Sequence, residues 1–419
     1  MHIVFVHRGS LPERTGGTYS YIYELGRGLA ARGHDVDVIA ATREPVAPPP
    51  FELDGATVHT YAYKRVNPIY STMQHLRRAE ELFREIHAKH AVDVLSIHDT
   101  HLGLRAARSR LGRTICQIPT YHAPVFLEFR FNTAWQIESE PSLLKRVLKR
   151  VTEPPLEFWQ RRFEEGVLQA ADGVVVLSEY SKGHIRNLFP KVDLSKVRVI
   201  QGGVDTERFA PAPDKQSVRS ELGFDGSIYL VTVRNLMPRM GLEQLVDAMA
   251  IVARRDGGGS TNAERVRLVI VGGGPLRESL EGRIRGHGLD GVVTLTGRVS
   301  DEDLVRHYQA ADAFVLPTTA MEGFGISTVE ALSANLPAIG TPAGATPEIL
   351  NAIDPRLLTS DTTAEGIAAG ITSWLGWRSE EEGTTRYRDE VLEKYAWPKV
   401  VELIEAYYEE VVSAFHPGQ

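Results

Sequence analysis

The chain has 419 residues, 42% hydrophobic and 24% charged, with a net charge of −7 and one cysteine. That length exceeds one ordinary core and predicts two domains, or three. The acidic balance argues against general nucleic-acid binding, which needs a basic face, and a single thiol cannot staple a fold, so a reducing compartment is expected.

The first forty residues read as strand, loop, helix, strand. "HIVFVH" is a fully apolar strand, "TYSYIYELGRGLAARG" an amphipathic helix ended by Gly33, and "HDVDVIAA" the next strand. "ATVHTYAY", "VDVLSIH", "RTICQIPTYH" and "GVVVLS" are further strands. Continuous apolar strands alternating with helices predict an α/β protein with a parallel sheet covered on both faces. Cys116 sits in one of these strands and reads as buried, not as a catalytic thiol. The same grammar restarts with "SIYLVTVRN", "VRLVIVGGG", "VVTLTG", "AFVLPT" and "PAIGT", so a second α/β domain follows the first. The join is placed near "VIQGGVDTERFAPAPDK", which gives domains at 1–205 and 206–397. "PVAPPP" and "RRDGGGSTNAERV" read as loops. No apolar run approaches the ~20 residues of a membrane span, and the apolar N-terminus is too short for a signal-peptide core, so a cytoplasmic protein is expected.

Residues 125 to 168 break the pattern. "SLLKRVLKRV" is basic and amphipathic, either a solvated helix face or a surface for a membrane or an acceptor, the membrane contact running through 143–151.

In open parallel sheets ligands sit beyond the carboxyl ends of strands. After the first strand, Gly16 and Gly17 open a helix, as an anion site or as a plain turn. Arg234 and Arg239 share one strand-to-helix loop, as a pyrophosphate clamp or as solvated arginines. "VGGGPLRESL" has no dinucleotide or Walker spacing. In "MEGFGISTVEAL", Ser327 with Glu330 matches a helix capping box, whereas Glu322 has no such structural reason. Gly323 and Gly325 allow close backbone approach, so Glu322 and Glu330 suit two hydroxyl-bearing groups, a sugar and a ribose. "DVD" at Asp35 to Asp37 and "HDTH" (His98, Asp99, His101) imitate metal motifs; the first reads as a strand start, the second as a polar loop or an acceptor contact.

Together "GGTYSYIYELGRGLAARGHDVDVIA", "VVVLSEYSKGHI", "VRVIQGGVDTERFAP", "VRNLMPRMGLEQLVDAM", "LVIVGGGPLRESLE", "LTGRVSDEDLVRHYQAADAFVLPT", "MEGFGISTVEAL" and "KYAWPKVVELIEAYYE" resemble the retaining glycosyltransferases of family 4, also called glycosyl transferase group 1. The resemblance implies the GT-B architecture: two Rossmann-like domains facing across a cleft that closes over the donor, with the helix at 398–416 crossing back onto the first. It implies an acceptor-binding first domain and a nucleotide-sugar-binding second one. Glu322 would hold the donor sugar's hydroxyls and Glu330 the ribose, while backbone groups of Gly323, Phe324, Gly325 and Ile326 approach sugar and phosphate. Arg234 and Arg239 would stabilise the diphosphate. The commonest family pattern has lysine followed by glycine; here Arg239 fills the basic place and Met240 precedes Gly241. Val299 resembles the nucleobase contact, Gly17 with Gly16 the first-domain phosphate turn, and His122 the histidine beside the reacting carbon.

The implied reaction is a metal-independent, retaining transfer of a hexosyl group from a nucleotide diphosphate sugar, with uridine diphosphate the expected carrier, to an acceptor hydroxyl. The same features leave room for a sugar-nucleotide epimerase of this fold or a non-catalytic sugar-nucleotide sensor. The acceptor, linkage and oligomeric state are not legible; a peripheral position at the inner membrane face follows from the basic helix alone.

Overall fold

The computed structural model describes residues 1–7, 9, 17–42, 44–64, 68–138, 140, 142–255, 265–381 and 383–415. Two compact units divide the chain, residues 1–202 with 397–419, and residues 203–396. The first expected boundary was 205/206.

The N-terminal unit holds β1 (His2–Val6), β2 (Asp35–Thr42), β3 (Phe51–Leu53), β4 (Ala56–Ala62), β5 (Val94–Ile97), β6 (Cys116–Tyr121), β7 (Val174–Val176) and β8 (Val197–Val199). They form one sheet in the order β3-β4-β2-β1-β5-β6-β7-β8. All neighbours pair in parallel except β3, which runs antiparallel to β4 at the edge and corrects the expectation of an all-parallel sheet. β1 is buried along its whole length because it is central and covered on both faces, which is why its five residues are apolar without alternation. Cys116 opens β6; burial pushes its thiol up to about 12, so it stays protonated. The helix Trp397–Ala414 belongs to this unit: the Tyr408 hydroxyl lies 2.8 Å from Ser96 Oγ in β5, and the Tyr407 hydroxyl donates to the Lys196 carbonyl at 2.7 Å.

The C-terminal unit holds β9 (Ile228–Val233), β10 (Val266–Val271), β11 (Val293–Gly297), β12 (Ala313–Leu316) and β13 (Ala338–Gly340). All pair in parallel, in the order β11-β10-β9-β12-β13. The chain builds outward from β9 on one side and then starts again at β12 on the other. The crevice beyond the ends of β9 and β12 is therefore the switch point where an open α/β sheet receives a ligand. The equivalent place in the N-terminal sheet lies between β1 and β5.

The helix Leu143–Ala170 runs unbroken through Pro154 and Pro155. It is capped by Ser142, whose side chain accepts from the Lys145 N–H, as the cap preference for serine predicts. "PVAPPP" forms no helix or strand, while most of "RRDGGGSTNAERV" lies outside the described residues.

Candidate functional site

At the C-terminal switch point four side chains converge. Arg234 follows β9 and Glu322 lies in the loop after β12. The Arg234 guanidinium donates to Glu322 Oε2 at 2.6 Å and to Thr318 Oγ1 at 2.6 Å, and touches Met240 Sδ at 3.0 Å. Thr318 donates to the same Glu322 oxygen at 2.9 Å. Arg239 lies on the adjoining turn, and its guanidinium donates to the Met321 carbonyl at 3.3 Å. Burial by itself would raise the Glu322 pKa. The Arg234 charge, the bonds from Thr318 and Arg234, and the more distant Arg239 hold it below the ordinary carboxylate value instead. Glu322 is thus a buried anion at neutral pH, an acceptor for hydroxyls and not a proton donor.

The backbone shows that Glu322 is placed deliberately. Met321 before it has φ 58°, a left-handed conformation that a side chain adopts only under constraint. A Cβ on Gly344 would lie 2.2 Å from the Glu322 carbonyl oxygen, so only glycine lets the loop after β13 press onto this segment. That contact is fixed by the Ala345 N–H donating to the same carbonyl at 2.8 Å. On the other flank, a Cβ on Gly272 would sit 1.9 Å from the Arg234 carbonyl oxygen, which gives the "VGGG" stretch a packing role beside Arg234.

Glu330 lies on the helix Ile326–Ser333. The predicted capping box does not form. Gly325, with φ 99°, is the N-cap, there is no side-chain cap bond, and Ser327 is already inside the helix. Glu330 is therefore not spent on the backbone. Instead the Tyr308 hydroxyl donates to its Oε2 at 2.8 Å. Burial pushes Glu330 up to about 7, against the Tyr308 bond and the Arg208 charge. The helix carrying Tyr308, Asp301–Ala310, starts directly after Val299 and is capped by Ser300. One helix thus ties the candidate base loop to the candidate ribose carboxylate. Gly323, Phe324, Gly325 and Ile326 bridge Glu322 to the helix. The Phe324 ring is buried against Tyr395 at 5.7 Å between centroids, which leaves its backbone as the part able to meet a ligand. The Thr328 N–H of that helix's first turn bonds the Gly325 carbonyl at 2.9 Å, which leaves the N–H groups of Ile326 and Ser327 at the positive end of the dipole, suited to phosphate.

In the N-terminal unit, His122 follows β6. Its Nε2 lies 3.1 Å from His98 Nδ1, His98 Nε2 lies 3.1 Å from Ser96 Oγ, and Ser96 meets Tyr408. Burial and the neighbouring His7 hold His122 down at about 3; burial with His122 and His7 holds His98 well below its usual value. Both rings are neutral at physiological pH. Gly17 is the first residue of the helix Gly17–Ala31, and Gly16 lies outside the described residues. Asp37 of the "DVD" stretch is engaged by His2 and His59, each at 2.6 Å, which hold it down at about 2 despite its burial. No cluster of side chains able to hold a metal ion occurs among the described residues.

The sequence reading missed Thr318, Tyr308 and the link from His98 to His122. Thr318 could have been found, because it stands just past β12 at the switch point. Tyr308 carries no local signal, since its partner is 22 residues away on another helix.

Two family models match the chain, Glycosyltransferase Family 4 over residues 15–208 and Glycosyl transferases group 1 over residues 214–388. The chain belongs to this glycosyltransferase family. Among similar proteins, a GDP-mannose-dependent alpha-(1-6)-phosphatidylinositol monomannoside mannosyltransferase of Mycobacterium tuberculosis is 26% identical over 384 residues, 90% of this chain and 89% of that one. A D-inositol 3-phosphate glycosyltransferase of Kineococcus radiotolerans is 26% identical over 78% of this chain and 73% of its own length. Among solved structures, sucrose-phosphate synthase of Thermosynechococcus elongatus matches with a TM-score of 0.77 at 19% identity, covering 99% of both chains. Anabaena HepE in complex with UDP and glucose matches with a TM-score of 0.72 at 16% identity, covering 99% of this chain and 100% of that one. These likenesses show the GT-B fold of two Rossmann-like domains. This family member is a glycosyltransferase that uses a nucleotide sugar donor.

Proposed function

We propose that the protein is a retaining, metal-independent hexosyltransferase, and that the C-terminal unit carries the donor. The observation that supports this reading most is the Arg234–Glu322–Thr318 cluster at the switch point, with Arg239 beside it. Breaking the anomeric carbon–oxygen bond sends negative charge onto the diphosphate. Arg234, Arg239 and the N-terminus of the helix Ile326–Ser333 are preorganised positive groups that stabilise that charge without a metal. Glu322 accepts bonds from the sugar hydroxyls, Glu330 from the ribose, and backbone groups near Val299 meet the base. In the N-terminal unit, which binds the acceptor, Gly17 with Gly16 serves as a phosphate turn and His122 supplies a neutral imidazole to the reaction. In this reading attack occurs on the face the leaving group vacates, and the departing phosphate oxygen takes the acceptor's proton.

GDP-mannose is the donor this reading tests first, because relatives similar over most of the chain are named for it; the sequence by itself had favoured a uridine carrier. The uridine reading stays as a second arm because HepE was captured with UDP. The enzyme is read as cytoplasmic and peripheral at the inner membrane face. Thermal shift with a panel of nucleotide diphosphate sugars separates the arms, since a ligand at a hundred times its Kd stabilises the fold by about 2.7 kcal/mol. A melting shift with GDP-mannose but not UDP-sugars is the expected result. Stabilisation by UDP-sugars alone reverses the donor, isomerised sugar without acceptor points to an epimerase, and binding without turnover across an acceptor screen points to a sensor.

A further inference from the structure

The first part of the helix Leu143–Ala170, as far as Trp159, is inside out, whereas Val167 and Leu168 near its end are buried in the core. Leu143, Leu144, Val147, Val151 and Phe158 fall within about 100° of one another on a helical wheel, and Trp159 adjoins them. That is the spacing of a core-facing stripe, yet all six are more than half exposed, from 51% at Val147 to 79% at Leu144. Two of its polar residues on other faces bond within the protein. Glu157 pairs with Arg130, and Lys149 reaches Gln136, both on the neighbouring helix Val125–Glu138. An apolar stripe of this length, about 22 Å from Leu143 to Phe158 at 1.5 Å per residue, is not ordinary surface scatter.

We infer that this stripe is an interfacial docking surface for a membrane rich in anionic phospholipid. The charge pattern selects that occupant. Residues 142–152, "SLLKRVLKRVT", carry Lys145, Arg146, Lys149 and Arg150 and no acidic residue, within a chain of net charge −7. On the wheel Arg150 adjoins the apolar arc, where a long side chain can bury its stem and keep its charge at the headgroups, and the exposed Lys145 adds to the positive field; Arg146 and Lys149 are partly buried on the side turned to the protein. A second copy of the chain is disfavoured by the same pattern, because a symmetric contact would bring two clusters of four positive charges together. The helix lies flat on the bilayer, with Leu144 and Phe158 among the acyl chains; no helix among the described residues is long and apolar enough to cross it.

This inference deepens the peripheral part of the proposed function by naming the surface involved. Its test needs no turnover, so the two can fail separately. The full chain is sedimented with vesicles of phosphatidylcholine alone and of phosphatidylcholine with a third phosphatidylglycerol. Binding at least about tenfold tighter to the anionic vesicles, weakening with salt, is expected. Leu144→Gln and Val147→Gln each weaken it by about tenfold through lost apolar burial. Lys145→Gln with Arg150→Gln weakens it by more than about tenfold on anionic vesicles, at roughly fivefold per charge. These side chains are exposed, so the melting temperature of each variant stays that of the wild type. Absence of binding to anionic vesicles, or equal binding by wild type and variants, overturns the inference. So does a concentration-dependent dimer that Leu144→Gln disrupts while vesicle binding is absent.

Discussion

The crevices beyond β1 and β9 occupy equivalent places in their sheets, each at the strand where the order reverses, yet they are furnished with opposite chemistry. Beside β9 stand two arginines and two carboxylates, and Arg234, Thr318 and Glu322 bond one another at 2.6 to 2.9 Å. Beside β1 and β5 stand imidazoles that burial and mutual proximity keep uncharged, linked through Ser96 to the C-terminal helix. One fold therefore supplies a charged crevice and a neutral one. The first suits a ligand that develops charge. The second suits hydroxyl groups that must be oriented without being ionised.

The sharpest way to break this contrast is to remove the charge. Arg234→Ala and Arg239→Ala should each lower kcat by about 10²–10³ with little change in secondary structure, measured by steady-state kinetics and circular dichroism. Arg234→Ala also leaves Glu322 buried without its ion pair, so its melting temperature should fall further than that of Arg239→Ala. Wild-type turnover in both variants would remove the diphosphate assignment.

Glu330 gives a smaller effect with a distinctive sign. Its pKa, about 7 in the folded protein against 4.5 ordinarily, means the folded state binds more protons between those values. Its contribution to stability therefore falls as pH rises from 4.5 to 7 and is flat above. Glu330→Gln keeps an acceptor for the Tyr308 hydroxyl and removes the buried charge. The variant should be more stable than wild type by about 3 kcal/mol at pH 8, a difference that vanishes near pH 4.5. It should also bind donor at least about tenfold more weakly at pH 8, because the ribose loses charge-assisted bonds. Urea unfolding and calorimetric titration at both pH values check the two halves. The histidines of the other crevice have the opposite sign: a lowered pKa adds stability as pH rises toward 6.5.

How much of this was written in the sequence depends on the range of the forces involved. Strands such as "HIVFVH" and "VRLVIV" announce themselves because a central strand must be apolar on both faces. β3 has only three residues and owes its existence to pairing with β4, which no local pattern encodes. Glu322 was legible as a carboxylate without a structural reason. Glu330 was half legible: Ser327 and Glu330 have capping-box spacing, but the left-handed Gly325 starts the helix before Ser327, so the serine cannot cap and the glutamate is left for another partner. Thr318 and Tyr308 act only through tertiary contact. The exposed stripe on the helix Leu143–Ala170 was visible as amphipathicity, but only the fold shows which face is turned to water.

The neutral crevice offers the subtlest test. In the chain from Tyr408 through Ser96 and His98 to His122, each group has one proton to place. If Tyr408 donates to Ser96, Ser96 donates to His98 Nε2 and His98 Nδ1–H donates to His122 Nε2. Reversal of every bond leaves His122 carrying its proton on Nε2 and its lone pair on Nδ1. The direction set at the C-terminal helix therefore fixes the tautomer of His122. Ser96→Ala cuts the chain in the middle, leaving the His98 Nε2 and the Tyr408 hydroxyl without their shared partner. It should lower stability by about 1–3 kcal/mol and kcat by a few-fold, with the donor KM unchanged. A merely structural role would lower stability without touching kcat in the folded protein. A change in donor KM instead would mean that this crevice reads the donor and not the acceptor, and the contrast between the two switch points would have to be redrawn.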